Sequence, residues 1–99
     1  MKIADIYGLP FISVQLVYRG KKLTLKKVLL DTGSASTLLN ADVVMDIGMI
    51  PEYGTVVEDF EIEIGSMDYG LEIDGILGFN FMKQTGAVIN LNSMEILLK

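Results

Sequence analysis

Val28-Leu29-Leu30-Asp31-Thr32-Gly33-Ser34 is an apolar run that ends abruptly on a carboxylate. An unpaired charge next to a buried strand is costly, so this junction needs an explanation. One reading is local: Asp31 opens a polar turn, where Asp is common. The other is functional: Asp31 is a carboxylate held at the base of a cleft. In that reading Thr32 hydrogen-bonds across to a partner loop. Gly33 lets the backbone approach and offers its N–H, and Ser34 donates to the outer carboxylate oxygen.

Working outward, Phe11 to Tyr18 alternates, with Ile12, Val14, Leu16 and Tyr18 on one face and Ser13 and Gln15 on the other. That is the pattern of a half-buried strand. Arg19-Gly20-Lys21 turns the chain, and Leu23 and Leu25 resume the alternation, so a β-hairpin leads into Val28–Leu30. Thr37-Leu38-Leu39 reads as a short strand. Asn40 caps a short helix over 41–47 that Gly48 stops. Pro51 to Gly54 reads as loop, Val56 to Ile64 as a strand, and Gly65 to Gly70 as a turn. Asp74 reads as a cap or turn residue ahead of a short helix from Phe79 to Gln84, ended near Gly86. Ala87–Ile89 and Glu95–Leu98 read as terminal strands. The expected fold is all-β with one or two short helices, a small closed barrel in one domain spanning residues 1–99.

Composition narrows the chemistry. The 99 residues hold no Cys and no His. That excludes a Cys nucleophile, a Ser–His or Cys–His pair, and a zinc or iron site built on those ligands. No metal, cofactor or disulfide is expected. Carboxylates, Lys, Tyr or water must carry any acid–base work. The net charge of −5 argues against nucleic acid, whose phosphates require clustered cations in excess. The opening Met1-Lys2-Ile3-Ala4-Asp5 has an early acid and no apolar core behind it, so no signal peptide is expected. No run reaches the 18 or so apolar residues of a membrane span. The expectation is a cytoplasmic protein with no membrane partner. The hydrophobic share of 51% is high for so short a chain, which leaves much of its surface hard to bury and points to a partner subunit. The six Met residues read as core filler.

Charge is segregated. Arg19, Lys21, Lys22, Lys26 and Lys27 share one window, no Lys or Arg occurs from Val28 to Met82, and eight of thirteen acids lie between Glu52 and Asp74. Solvated strand faces account for this. The sharper readings are an electrostatic match between two copies or a preference for basic substrates.

Two separated segments carry a family resemblance. Val28 to Asn40 (V-L-L-D-T-G-S-A-S-T-L-L-N) resembles the active-site strand and loop of aspartic proteases. Asp74 to Gly78 (D-G-I-L-G), followed by Phe79 to Leu91 (F-N-F-M-K-Q-T-G-A-V-I-N-L), resembles the second motif of that superfamily and is especially similar to the C-terminal region of retroviral proteases. The mixture is most similar to stand-alone bacterial or archaeal retropepsin-like proteins. The resemblance implies a closed acid-protease barrel with one lobe per chain and an endopeptidase acting on polypeptide. It makes Asp31 the catalytic carboxylate, Thr32, Gly33 and Ser34 the active-site loop, and Ile76, Leu77 and Gly78 the support beneath that loop. Only one D-T-G occurs, and neither Asp46 nor Asp74 matches the catalytic pattern. Two carboxylates are needed, so the resemblance implies a homodimer in which each chain brings its Asp31. The Met94–Leu98 strand, with an exposed apolar edge, is its expected interface.

The sequence also departs from the retroviral pattern. Ser34-Ala35-Ser36 stands where acids are usual, and Phe79 stands in place of an Arg. Only 44 residues separate Asp31 from Ile76, too few for the glycine-rich flap. Either the flap is absent, or the protein has a mobile hairpin near Tyr53–Val57 that this sequence omits. Without a flap, a non-catalytic retropepsin-fold dimerisation or peptide-binding module becomes the alternative. A small-ligand-binding barrel, with Asp31 an ordinary turn residue, is a third reading.

Overall fold

The computed structural model describes residues 1–48, 55–57, 60–65 and 72–98. The strands are β1 (Ala4–Ile6), β2 (Leu9–Tyr18), β3 (Lys21–Leu30), β4 (Thr37–Asn40), β5 (Thr55–Val57), β6 (Phe60–Gly65), β7 (Gly75–Leu77), β8 (Val88–Asn90) and β9 (Glu95–Leu97). The helices are α1 (Ala41–Val44), extended by a 3-10 turn over Met45–Ile47, and α2 (Phe79–Thr85). The fold is thus mainly β with two short helices.

The β2–β3 hairpin forms as the alternation predicts. Tyr18 pairs with Lys21, and Arg19 and Gly20 both take positive φ, 50° and 78°. Two successive left-handed residues make the turn whose twist matches the strands it joins. The Arg19 guanidinium lies 5.1 Å from the centre of the Tyr18 ring, a cation–π contact.

β1 to β7 form one sheet in the order β1-β2-β3-β7-β4-β6-β5. The expected barrel closure is not among the described pairings, in which β1 and β5 are the two ends. Registers across the sheet place Ile12, Val28, Gly75, Leu39 and Ile64 in one row, and Phe11, Leu29, Ile76 and Leu38 in the next. Neighbouring rows face opposite sides of a sheet. The first row enters the main core, with Leu25, Val44, Leu77 and Ile96. The second forms a smaller cluster with Ile73.

Three departures from the sequence reading have physical reasons. The stretch from Val56 to Ile64 is not one strand. Val57 pairs with Phe60, so β5 and β6 form an antiparallel ribbon. The back-to-back acids Glu58 and Asp59, poor strand formers, divide it in the sequence. The missing hairpin was expected at 53–57. Residues 53 and 54 lie outside the described residues, whereas 55–57 are β5. The loop expected at 51–54 and the turn residues 66–70 also lie outside them.

The second departure is β9. It pairs with β8, Ile89 facing Ile96, and its other edge is occupied by the chain's first residues. Ile96 N donates to Met1 O at 2.9 Å, the Met1 amino group to Ile96 O at 2.8 Å, and Ile3 N to Met94 O at 2.8 Å. The free apolar edge expected of Met94–Leu98 is therefore filled within the chain, because residues 1–3 and 94–96 share an antiparallel register.

The third is Asp74, which caps no helix. The N-cap of α2 is Gly78. On β3, Lys26 and Lys27 together oppose Ser13 in a bulge, and bulged residues lose ladder partners. One Asp74 carboxylate oxygen accepts from both of their amides, at 3.0 and 3.1 Å. Asp74 N donates to Lys27 O, and Asp74 O accepts from Asn40 N. Asp74 thus ties β3 to β4 at the entry to β7. Removing the carboxylate in Asp74→Ala is expected to cost about 2 kcal/mol, one charge-assisted bond's worth at a half-exposed site. Asp74→Asn keeps an amide oxygen for both donors and should lose less than half of that. Urea midpoints of the two variants check the ordering.

Candidate active site

β3 and β7 run parallel, Leu30 beside Leu77, and the loop that carries Asp31 leaves from their shared end. Asp31 N donates to Leu77 O at 3.0 Å, which continues the ladder one residue beyond β3 and fixes where the side chain begins. Gly33 N donates to Asp31 Oδ1 at 3.0 Å, and Ser34 N to Asp31 O at 3.1 Å. These bonds close a tight turn around the carboxylate, which is half-buried, with Thr32 and Gly33 exposed above it.

The Ser34 hydroxyl is placed differently from the sequence expectation. It donates to Ser36 O at 2.9 Å, not to the Asp31 carboxylate. The loop folds back over Gly78, and its nearest acceptor is its own backbone. Among the described residues, Thr32 makes no hydrogen bond across to a second loop. Its exposure leaves it available for one.

Ile76, Leu77 and Gly78 run beneath this loop. Ile76 pairs with both Leu29 and Leu38, so β7 is held between β3 and β4. At Gly78 the chain passes under the loop, and Phe79 N donates to Ser34 O at 2.6 Å and Asn80 N to Ala35 O at 3.3 Å. The structure thus brings together all seven residues singled out from the sequence.

Two polar residues that sequence reasoning missed complete the support. Thr37, 1% exposed, accepts from Gly78 N at 3.1 Å through its hydroxyl oxygen and donates to Asn80 Oδ1 at 2.8 Å. Asn80 Oδ1 also accepts from Phe81 N. These bonds join the start of β4, the underside of the loop and the first turn of α2. The only sequence signal was a Thr heading an apolar run, which a surface strand start explains equally well.

The β5–β6 ribbon belongs to the same end of the sheet. β6 lies parallel to β4, with Ile62 beside Thr37. Phe60 precedes Ile62 by two residues, so the end of the ribbon where Val57 pairs with Phe60 points the way the Asp31 loop does. Beside that loop lies a cavity of about 400 Å³ lined by Thr32, Phe79, Met82, Lys83, Ala87 and Ile89. Among the described residues, no helix is long and apolar enough to cross a membrane.

Asp31 is thus a half-buried residue with Gly33 N on its carboxylate and Ser34 N on its backbone carbonyl, at the end of an apolar strand that lies beside Ile76 and Leu77. Comparison with known proteins bears on the fold. The crystal structure of the retroviral protease-like domain of Ddi1 from Leishmania major is similar to this chain, with a TM-score of 0.58 over 90% of this chain and 87% of that one, at 13% identity. At that identity the likeness shows the retropepsin-like fold. No family model matches the sequence, and no curated protein matches it.

Proposed function

We propose that this chain is one half of an aspartic endopeptidase of retropepsin type, active as a homodimer in which each copy supplies Asp31. The observation that carries the reading is the seating of the D-T-G-S loop on I-L-G, with Asp31 N bound to Leu77 O, in a retropepsin-like fold. Two carboxylates brought side by side cannot both hold a charge, so they share one proton. The ionised one takes a proton from water, which attacks the scissile carbonyl carbon. The protonated one donates to the carbonyl oxygen. Collapse of the tetrahedral centre returns a proton to the leaving nitrogen and breaks the C–N bond.

Thr32, Gly33 and Ser34 orient the carboxylate, and Ile76, Leu77 and Gly78 support it. Each chain forms one lobe of the two-copy enzyme. The substrate is an extended polypeptide segment. Among the described residues β5 is an end strand of the sheet, the kind of edge to which an extended segment adds as a further strand.

The test is direct. Incubated with an unstructured protein across the acidic to neutral range, the dimer should release fragments whose masses sum to that of the parent plus one water for each bond cut. The short distance from Asp31 to Ile76 favours a second reading, a peptide-binding module without turnover. A dimer that binds such segments and cleaves none of them at any pH would establish the module instead.

A further inference from the structure

Between Asp5 and Asp31 the chain carries Arg19, Lys21, Lys22, Lys26 and Lys27 and no acid, while the remaining residues hold all thirteen acids against three cations. The fold turns this imbalance into a surface. In the β2–β3 hairpin Val17 pairs with Lys22, Gln15 with Thr24 and Phe11 with Leu29. Alternate residues of a strand share a side, so these pairs face one way. Toward the Asp31 end that side is covered, with Phe11 buried against Ile73 and Ile76. Toward the hairpin tip it is bare: Ser13, Gln15, Val17, Lys22, Thr24 and Lys26 are all exposed. Asp74 binds the backbone amides of Lys26 and Lys27. Among the described residues, the ammonium groups of Lys21, Lys22, Lys26 and Lys27 have no carboxylate partner.

We propose that this outer face of the hairpin docks an acidic stretch of the same polypeptide whose neighbouring segment lies at Asp31. The inference rests on the reading above that an extended polypeptide occupies that site, cut or only bound. Charge complementarity selects an anionic occupant. Lys22 and Lys26 stand about 13 Å apart along β3, and the acids lie elsewhere in the chain, so a long polyanion would meet repulsion beyond the patch. The six exposed residues offer no aromatic ring on which bases could stack. Their one apolar side chain, Val17, is too little to enter a membrane interface. Hydroxyl, amide and ammonium groups remain, the donors that suit carboxylates and peptide carbonyls.

The link to the site is geometric. Asp31 follows Leu29 by two residues, and its N continues the ladder to Leu77 O. Its side chain therefore leaves the sheet on the side where Lys22 and Thr24 stand. Lys26 and Lys22 precede Asp31 by five and nine residues, about 15–30 Å along β3. An extended polypeptide held at Asp31 needs at least as many residues to reach them. Acids placed that far along it give a second anchor, which raises the effective concentration of the first.

Binding to the Asp31→Asn protein tests this without turnover. The probe is an unstructured protein made in three forms: plain, with a C-terminal Glu run, and with a Gln run. At about 50 mM salt the Glu run should tighten binding about 10-fold over the other two forms, and about 0.5 M salt should erase the gain. Lys22→Glu combined with Lys26→Glu should abolish the gain, and the neutral pair Lys22→Gln with Lys26→Gln should cut it to less than about 3-fold. Lys2→Glu, beside Glu95 and away from the hairpin, should keep it. All of these positions are exposed, so unchanged circular dichroism is expected.

A gain that survives in both double variants, or that Lys2→Glu loses equally, overturns the proposal. A free Glu peptide that binds as tightly as the Glu-tailed probe would mean a separate acidic partner, which also overturns it. Phosphatidylserine vesicles or an RNA oligomer held more tightly through the same lysines would give the face to that partner instead. Equal binding of all three forms removes this inference and leaves the reading of the site. Binding of none of them removes both. A wild-type protein that cuts nothing while the gain persists removes only catalysis.

Discussion

Gly78→Ala is expected not to yield a folded protein. The backbone of Gly78, φ −89° and ψ −175°, is one that alanine adopts freely, so conformational freedom is not the reason. The reason is space. A Cβ at this position would lie 2.1 Å from Ser36 O, 2.5 Å from the Ser36 carbonyl carbon and 2.7 Å from Ser34 O. All three are backbone atoms. The segment that holds them cannot give way cheaply, because Phe79 N on Ser34 O and Asn80 N on Ala35 O tie it to the start of α2, and the Ser34 hydroxyl on Ser36 O braces it internally. Moving it by more than 1 Å or so, as a Cβ contact of ordinary van der Waals length demands, would break these bonds along with Gly78 N to Thr37. The loss should exceed about 4–5 kcal/mol, the range reserved for severe single substitutions, and so approach the whole stability of a small domain.

Gly65→Ala is the control. Among the described residues its added Cβ would meet only Leu38 Cδ1, at 3.8 Å, and stability should change by less than about 1 kcal/mol. Soluble yield, far-UV circular dichroism and thermal midpoints of the two proteins check the contrast. A Gly78→Ala protein that melts with wild type would show that the loop is not seated on this glycine.

The same residue marks what the sequence could and could not disclose. Gly78 stood out as part of I-L-G, but its crowding comes from carbonyls some forty residues earlier. Periodicity reports which face of a strand is buried, as it did for Ile12, Val14 and Leu16. It does not report which strand lies alongside. The hairpin β2–β3 and helix α2 were legible because their bonds are local: positive φ at Arg19 and Gly20, and a C-terminal Gly86 in the left-handed region. The order β3-β7-β4-β6 was not legible, since it is made by pairings between distant segments.

Asp74 shows the limit most plainly. As a lone Asp before a glycine it reads as a turn residue, yet its acceptor role is defined by two amides 47 and 48 residues away. Thr37 and Asn80, separated by 43 residues, were invisible for the same reason. The site was more legible than its support because Asp31, Thr32, Gly33 and Ser34 are consecutive, and a tight turn can be read from consecutive residues.

Asp31→Asn should leave the fold intact and abolish hydrolysis. Among the described residues the carboxylate's structural bond is the one from Gly33 N to Oδ1, and the amide oxygen of Asn accepts that bond with the same geometry. The bonds from Asp31 N to Leu77 O and from Ser34 N to Asp31 O belong to the backbone and do not depend on the side chain. Thermal midpoints within a few degrees of wild type are therefore expected. The chemistry does depend on it. In a homodimer one substitution removes both the base that takes a proton from water and the acid that donates to the carbonyl oxygen. Each such role is worth about 10²–10⁴-fold, so a loss of at least about 10⁴-fold in turnover is expected. The dimer should be as tight as wild type or tighter, because two carboxylates no longer have to share a confined site. Purified wild-type and Asp31→Asn proteins, compared at equal dimer concentration by fragment mass and by sedimentation, separate the outcomes. Equal hydrolysis by both would assign the activity to another residue or to a contaminant. A variant that loses turnover together with its dimer or its melting transition would make Asp31 a structural turn residue, the reading in which an Asp at the end of an apolar strand does no chemistry.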